Sequence, residues 1–212
     1  MATGNSSFLT VCRRELRLAT DRLIDRQWGI DTLAGSWLPS EKGGKFEDAT
    51  QNIPLSYYLL FQLFRGNVFN PDDVFFDIGC GNGRVLCYVA RKRVSKVIGI
   101  ELSRDFADRA RANAQKLHNR VSPIEVRCGD AVEMDYNNGT VFFLFNPFGP
   151  KTLQAVLDNI RQTLVEHTRP MRFMYQNPVY SSIFRSSGWL KYVGNRKAIA
   201  SRDYMELWAH EG

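Results

Sequence analysis

The stretch from Asp77 to Gly83, which reads Asp-Ile-Gly-Cys-Gly-Asn-Gly, constrains the fold of this chain more than any other. The apolar residues 74–76 precede it, and residues 84–90 follow it with the composition of a helix start. A short apolar run that stops at a turn is typical of a buried strand. Glycine lets the backbone turn sharply and approach a ligand closely, because it has no Cβ. The pattern therefore predicts a strand, a glycine turn and a helix in succession.

A second strand is predicted over residues 94–101, and it ends at an acid. That acid, Glu101, lies 24 residues after Asp77. Open α/β sheets bind nucleotide-type ligands at the carboxyl ends of their strands, where an acid can accept hydrogen bonds from both hydroxyls of a ribose. Glu101 therefore indicates a site for a nucleoside cofactor.

The spacing of the glycines bears on which cofactor binds. A dinucleotide-binding turn requires a small residue one place beyond Gly83, and that place holds Arg84. Asp77 would repel a diphosphate, whereas it can hold a cation. The pattern favours a cofactor with an ammonium and a sulfonium group over NAD. An NAD-dependent oxidoreductase is the alternative, and stabilisation by NAD alone would indicate it.

Three segments resemble the first three motifs of the class I S-adenosylmethionine-dependent methyltransferases. They are Asp77-x-Gly79-x-Gly81-x-Gly83, Glu101 and Gly129-Asp130, and the resemblance extends over roughly residues 68–175. It implies S-adenosylmethionine as the cofactor.

The same resemblance implies a role for each residue of the cofactor site. Asp77 would bind the amino group of the cofactor, and Glu101 the ribose hydroxyls. Asp130 would bind the adenine amine, with the backbone N–H of Ala131 beside it. The implied cofactor-binding residues are Asp77, Gly79, Gly81, Gly83, Glu101, Leu102, Asp130, Ala131 and Asn146.

A loop with two prolines, Asn146-Pro147-Phe148-Gly149-Pro150, follows the predicted strand 140–145. It resembles the Asn/Asp-Pro-Pro-Tyr/Phe motif of methyltransferases that act on planar nitrogens, but has a single proline before Phe148. It also resembles the Asn-Asn-Phe-x-Phe-Gly loop of non-SET histone-lysine methyltransferases, with Pro147 at the second asparagine. We expect a subgroup marked by an Asn-Pro-Phe-Gly loop. The catalytic residues would be Asn146, accepting an N–H bond from an amine, and Phe148, beside the transferring methyl group.

The N-terminal part of the chain is expected to form a helical extension and lid over residues 1–66, on a methyltransferase core over residues 67–212, within one structural domain. A basic helix capped by Ser7 would run from about residue 8 to 27 and pack through a stripe that includes Leu16 and Leu23. Residues 29–52 would fold over as a lid. The substrate pocket would be lined by Trp37, Tyr57, Tyr58 and Pro147.

Strand and helix patterns alternate regularly from residue 74 to the end of the chain. This alternation predicts an α/β fold, a Rossmann-like doubly wound sheet that is mostly parallel, with helices on both faces. No helix separates the last two predicted strands. In the family that the chain resembles, the sheet has seven strands and these two form an antiparallel hairpin at its edge.

Net charge is +6, but residues 84–120 alone hold ten Lys or Arg against three acids. Such a segment can attract nucleic acid or another anionic partner, and a solvated helix face is the alternative. The four cysteines are scattered, which favours reduced thiols and a cytoplasmic protein. The histidines and cysteines show no metal-binding spacing, so no metal is expected. No apolar stretch is long enough to cross a bilayer, so no membrane partner is expected.

These observations predict a methyltransferase acting on a nitrogen of an unidentified acceptor, either a small molecule or a protein side chain. An O-methyltransferase of a small metabolite is one alternative, although such an enzyme usually needs a base or a metal. A non-catalytic protein that only binds S-adenosylmethionine is another. A product assay would separate the last from the enzymes, because it would form no S-adenosylhomocysteine.

Overall fold

The computed structural model describes residues 4–34, 48, 50, 53–66, 68–199 and 201–212. Within these residues the strands are β1 (Val74–Ile78), β2 (Lys96–Glu101), β3 (Ile124–Cys128), β4 (Val141–Phe145), β5 (Met171–Gln176), β6 (Lys191–Lys197) and β7 (Tyr204–His210). The helices are α1 (Gly4–Trp28), α2 (Tyr57–Leu63), α3 (Arg84–Val89), α4 (Arg104–Lys116), α5 (Pro150–Glu166) and α6 (Ser181–Ser186).

The described strands form one seven-stranded sheet in the order β3-β2-β1-β4-β5-β7-β6. Strands β1 to β5 pair in parallel, and β7 pairs antiparallel with both β5 and β6. The predicted fold class and element order are confirmed. Because parallel strands end at the same edge, the carboxyl ends of β1 to β5 lie side by side.

The core is divided between the two faces of the sheet. Phe75 and Phe143 point into a first cluster, which also contains residues of α2, α3 and α4. Their neighbours Phe76 and Phe142 point into a second cluster, which is covered by α5 and α6. Since side chains alternate along a strand, Asp77 lies on the same face as Phe75. The carboxylate at the end of β1 is therefore on the face that the N-terminal part of the chain covers.

Helix α1 packs through a different face from the predicted one. Leu16 and Leu23 of the predicted apolar stripe are 69% and 68% exposed, whereas Asp21 and Asp25 are each 4% exposed. The helix also begins at Gly4, so Ser7 lies inside it and is not its cap. Gly29 ends the helix as predicted, with φ of 75°. The acids are buried because a cation of the core lies opposite them, which helical periodicity does not show.

Smaller differences concern the ends of elements. Helix α3 is shorter than the predicted 83–92, and β6 extends to Lys197, four residues beyond the predicted end at Val193. The division of the chain at residue 66 stays a prediction. Among the described residues, none of the helices is both long enough and apolar enough to cross a membrane.

Candidate active site

The glycine turn after β1 has the sharp geometry predicted for it. Gly79, Gly81 and Gly83 have φ values of 81°, 53° and 81°, in the left-handed region that favours glycine. The backbone N–H groups of Gly79 and Cys80 both donate to the carbonyl of Ile100, each at 2.9 Å. The turn is thus tied to the end of β2.

The glycine turn also touches the loop that follows β4. A Cβ added to Gly79 would lie 2.5 Å from the Cβ of Pro147, which is closer than carbon atoms can approach. A glycine is therefore required for the two loops to meet. The two predicted site loops lie against each other at the carboxyl edge of the sheet.

Asp77 is a buried carboxylate with an unpaired oxygen. It is 3% exposed, and its Oδ2 has no hydrogen-bond partner. Burial, together with the charge of Glu101, raises the pKa of Asp77 to about 8. A buried carboxylate of this kind is stabilised by a cation placed next to it. The site therefore fits a ligand that carries an ammonium group.

Glu101 is fixed at the end of β2 by two backbone hydrogen bonds. Its Oε2 accepts from the N–H of Gly81 at 2.8 Å, and its Oε1 accepts from Ser103 at 2.9 Å. Burial raises the pKa of Glu101, and these bonds oppose the increase. Leu102 follows it, half-buried. The predicted contact of Glu101 with the ribose hydroxyls and the predicted contact of Leu102 with the cofactor stay predictions.

Asp130 follows β3 at the same edge. Its Oδ1 accepts from the N–H of Val132 at 3.0 Å and begins a short 3₁₀ turn, Ala131–Glu133. The predicted adenine contacts of Asp130 and Ala131 stay predictions. Asp130 follows β3, Glu101 is the last residue of β2 and Asp77 is the last but one of β1, so the three acids lie in a row along the carboxyl edge of three neighbouring strands. Among the described residues, no group of three His, Cys, Asp or Glu side chains is arranged to hold a metal ion.

The loop after β4 is held by two described residues of the predicted lid. Asn146 has φ of 44°, its carbonyl accepts from the hydroxyl of Thr50, and the Pro147 carbonyl accepts from the Thr50 N–H at 3.1 Å. The carboxylate of Asp48 accepts from the N–H of Thr152 at 3.2 Å, at the start of α5. The Oδ1 of Asn146 lies 3.5 Å from the hydroxyl of Tyr175.

Phe148 lies mostly in the core. It is 8% exposed and belongs to the second cluster, beneath α5. The ring supports the loop from the core side. Its predicted contact with the transferring methyl group stays a prediction.

The aromatic residues predicted to line the pocket have different positions. Tyr57 is 0% exposed and its hydroxyl donates to Asp25 at 2.6 Å, so the prediction that it lines the pocket is wrong. Burial and the charge of Asp25 raise the pKa of Tyr57. Tyr58 is 37% exposed and its hydroxyl donates to the carbonyl of Ile199, so its pocket role stays a prediction. Trp37 lies outside the described residues.

Arg84, which the sequence marks only as a misfit for a dinucleotide, anchors the N-terminal extension. It is 3% exposed, and its Nη1 lies 2.6 Å from the carboxylate of Asp21. Its Nε donates to the hydroxyl of Thr32 at 2.7 Å, and its Nη2 lies 3.7 Å from Asp25. A buried cation in the first turn of α3 thus explains why α1 buries its acids.

Asn82 attaches the segment after α1 to the glycine turn. Its side-chain N–H groups donate to the carbonyls of Thr32 at 3.1 Å and Ala34 at 2.7 Å, while its Oδ1 is buried without a partner. A cavity opens at this junction, and its lining includes Thr32, Asp77, Asn82, Arg84, Phe143 and Phe145.

The basic segment 84–120 is partly neutralised within the fold. Arg84 is buried and paired with Asp21. At the surface, Lys96 is paired with Glu125, and Arg111 is paired with Asp108 at 2.6 Å. These contacts reduce the charge that the segment offers to a partner. An anionic or nucleic-acid partner stays a prediction.

The fold and the site together define a Rossmann-like α/β protein with a crevice for a nucleoside cofactor. Residues 75–167 match a family model described as a methyltransferase domain. A protein-lysine N-methyltransferase of Saccharolobus islandicus is 32% identical over 123 residues, which cover 57% of this chain and 68% of that protein. The chain therefore belongs to the class I S-adenosylmethionine-dependent methyltransferases. It is an enzyme of that class, and its cofactor is S-adenosylmethionine.

Two further proteins are similar to this chain. A histone-lysine N-methyltransferase of Dictyostelium discoideum, specific for lysine 79 of histone H3, is 33% identical over 101 residues, or 42% of this chain. The chain spans 6% of the length of that protein. The structure of an RNA methyltransferase from Salinibacter ruber, in complex with S-adenosyl-L-homocysteine, has a TM-score of 0.56 at 21% identity. The match covers 75% of this chain and 94% of that chain, and it shows that the two proteins share a fold.

Proposed function

We propose that this chain transfers a methyl group from S-adenosylmethionine to the side-chain nitrogen of a lysine in a protein. The observation that carries the proposal is the position of Asn146, whose turn follows β4 and whose neighbour Pro147 lies directly against Gly79 of the glycine turn. The side-chain oxygen of Asn146, beside the glycine turn, can accept a hydrogen bond from the amine that receives the methyl group. Both curated relatives, at 32% and 33% identity, are named as lysine N-methyltransferases, which supports lysine as the acceptor.

Three buried atoms that make no hydrogen bond fit the amino-acid end of the cofactor. Asp77 Oδ2 and Asn82 Oδ1 are buried acceptors, Arg84 Nη2 is a buried donor, and all three residues line one cavity. An α-amino acid presents an ammonium donor and a carboxylate acceptor. We assign Asp77 and Asn82 to the ammonium and Arg84 to the carboxylate, because each pairing would give a hydrogen bond to a buried atom that lacks one.

When bound, S-adenosylmethionine would supply a methyl carbon on a positively charged sulfur: the lone pair of the acceptor nitrogen would bond to that carbon as the carbon–sulfur bond breaks, with S-adenosylhomocysteine as the leaving group. The protein contributes position and a dry environment. The Oδ1 of Asn146 accepts an N–H bond from the amine and so orients it. Phe143 and Phe145 supply apolar walls beside Asp77. The amine must be neutral to react, so its proton is lost to solvent before transfer.

The experiment that tests the proposal is an acceptor assay on the purified chain. Core histones and total RNA are each incubated with S-adenosylmethionine, and the products are located by mass spectrometry after digestion. Histones whose lysines have been acetylated chemically serve as the matched control. We expect methyl groups on lysine in untreated histones and none in acetylated ones. Methylation confined to RNA, or to an oxygen atom, would contradict the proposal.

A non-catalytic role has its own signature in the same assay. Such a protein would be stabilised by S-adenosylhomocysteine and would transfer no methyl group to any of the acceptors. Turnover with any of them excludes that role.

A further inference from the structure

The outer face of α1 carries an apolar stripe that faces away from the core. Four exposed residues form this outer stripe: Cys12, Leu16, Ala19 and Leu23. They follow one another at intervals of four, three and four residues, which is the spacing of the contact positions in a coiled coil. The two leucines are 69% and 68% exposed, so most of their apolar surface is in water.

The outer stripe lies opposite the side by which α1 is anchored. Asp21, Asp25 and Trp28 are the buried residues of the helix, among those whose side chains the structure describes. Since each residue advances about 100° around the helix axis, these three are centred about half a turn away from Leu16 and Leu23. Packing on the core therefore leaves the outer stripe open. Exposed leucines one heptad apart indicate a partner that lies along the helix.

One margin of the outer stripe carries charges of opposite sign. Glu15 and Arg22 are both exposed, and each comes directly before a leucine of the stripe. In a coiled coil, residues at this position lie beside the partner helix and select its identity and orientation through their charges. An acid and a base at equivalent positions one heptad apart can each pair with the other on a second copy of the same helix.

One antiparallel register makes α1 complementary to itself. A two-fold axis near the middle of the outer stripe would set Leu16 against Ala19 of the second copy and Leu23 against Cys12, so that each large side chain meets a small one. Glu15 would then lie beside Arg22 of the second copy. Because a two-fold interface uses the same patch on both subunits, this ion pair forms twice.

The other arrangements of two α1 helices lack this complementarity. A shift by one heptad in one direction would place Arg22 beside its own copy, and a shift in the other direction would do the same for Glu15. Like charges at such positions are destabilising. In a parallel pair, Glu15 and Arg22 would lie beside the neutral side chains of Thr20 and Gln27.

We propose that α1 is a dimerisation surface, and that the outer stripe is covered by a second copy of this chain lying antiparallel to the first. The apolar stripe supplies the contact, and the pairs between Glu15 and Arg22 fix its register. The proposal concerns a face of α1 turned away from the core and does not depend on which acceptor the enzyme methylates.

The first test exchanges the two charges and follows the oligomeric state of the full chain by sedimentation across the micromolar range. Glu15→Arg and Arg22→Glu each place like charges at both contacts, whereas the double variant restores opposite charges with their positions exchanged. We expect the dimer dissociation constant to rise about tenfold in each single variant and to return close to that of wild type in the double variant.

The second test removes the apolar contact. Leu16→Gln combined with Leu23→Gln should give a monomer, with the circular dichroism spectrum and S-adenosylhomocysteine affinity of wild type, because both side chains are exposed in a single copy. Val165→Gln, on α5, is the matched control. Val165 is 88% exposed and lies outside the outer stripe, so this variant should remain a dimer.

The third test reports the orientation of the two helices. Leu23→Cys places a thiol next to Cys12 of the second copy in the antiparallel register. Within one helix these two positions are roughly 16 Å apart, too far for a disulfide, so any bond between them joins two copies. Mild oxidation followed by digestion and mass spectrometry should find position 23 joined to Cys12. A bond joining position 23 to position 23 would indicate parallel helices and contradict the proposal.

Three further results would overturn the proposal. One is a wild-type chain that stays monomeric across the micromolar range. Another is a dimer that survives the paired leucine substitutions, because a different surface would then hold it together. The third is a monomer that sediments with vesicles containing phosphatidylserine and loses this binding when both leucines are replaced, which would assign the outer stripe to a membrane surface.

Discussion

At the scale of single residues, Asp77 links folding to pH. Its folded-state pKa of about 8 lies above the ordinary 3.8, so the folded protein without ligand retains a proton that the unfolded chain releases. The contribution of Asp77 to stability is therefore full below pH 3.8 and is lost as pH rises towards 8.

Asp77→Asn tests this linkage. The free energy of unfolding, measured by urea titration from pH 5 to pH 8 without ligand, should decrease more steeply with pH in wild type than in the variant. The variant cannot ionise at this position, so the pH dependence of its free energy of unfolding lacks the contribution of Asp77. Parallel pH profiles for the two proteins would show that Asp77 is not the carboxyl that holds the proton.

Gly79 and Gly66 separate backbone strain from loop contact. Their φ values are 81° and 79°, but a Cβ added to Gly79 would strike Pro147, whereas a Cβ added to Gly66 would have no described residue within 4 Å beyond its neighbours in the chain. Alanine at either position should cost about 1–2 kcal/mol for the left-handed conformation. Only Gly79→Ala should also weaken S-adenosylhomocysteine binding, measured by calorimetry. Equal affinities in the two variants would show that the contact between the loops does not matter for the site.

At the scale of elements, α1 is held to the core by charge. Arg84 and Asp21 form a buried pair, with side chains 3% and 6% exposed. Removing the arginine leaves two buried carboxylates, so Arg84→Ala should lower the free energy of unfolding by about 3–5 kcal/mol. Lys191→Ala is the control, because its pair with Glu211 is 71% and 74% exposed and its loss should change the free energy of unfolding far less. Chemical denaturation measures both, and similar losses would contradict this account of α1.

The order of the elements was predictable from sequence, since short apolar runs typical of strands alternate with helical patterns after residue 74. The positions of Asp77, Glu101 and Asp130 at strand ends follow from that alternation. The packing face of α1 was not predictable in the same way. Its acids are buried by Arg84, 63 positions after Asp21 in the chain, and local periodicity carries no information about such a partner. Tyr57 was misplaced for the same reason, because its partner Asp25 belongs to a different helix.

Gln176 shows a second limit of pattern reading. A single polar residue at the end of an apolar strand reads as the place where burial stops. Its full burial and its two unpaired atoms become visible only once the neighbouring strands are in place.

At the scale of the whole molecule, the polar residues of the candidate site lie along one edge of the sheet. The three acids lie at the ends of β3, β2 and β1, and Asn146 follows the end of β4. The parallel arrangement brings them together, because every one of these strands ends on the same side. The N-terminal extension closes the crevice from the face of the first core cluster, where Arg84 and Asn82 bind it.

The central claim is that Asn146 positions an acceptor lysine without taking part in holding the cofactor tightly. The most direct measurement compares wild type, Asn146→Ala and the exposed control Asn195→Ala for methyl transfer to histone lysines and for S-adenosylhomocysteine affinity. We predict that Asn146→Ala loses turnover and retains nearly all of its affinity, while Asn195→Ala behaves as wild type. Full turnover by Asn146→Ala on the same lysines would contradict the account.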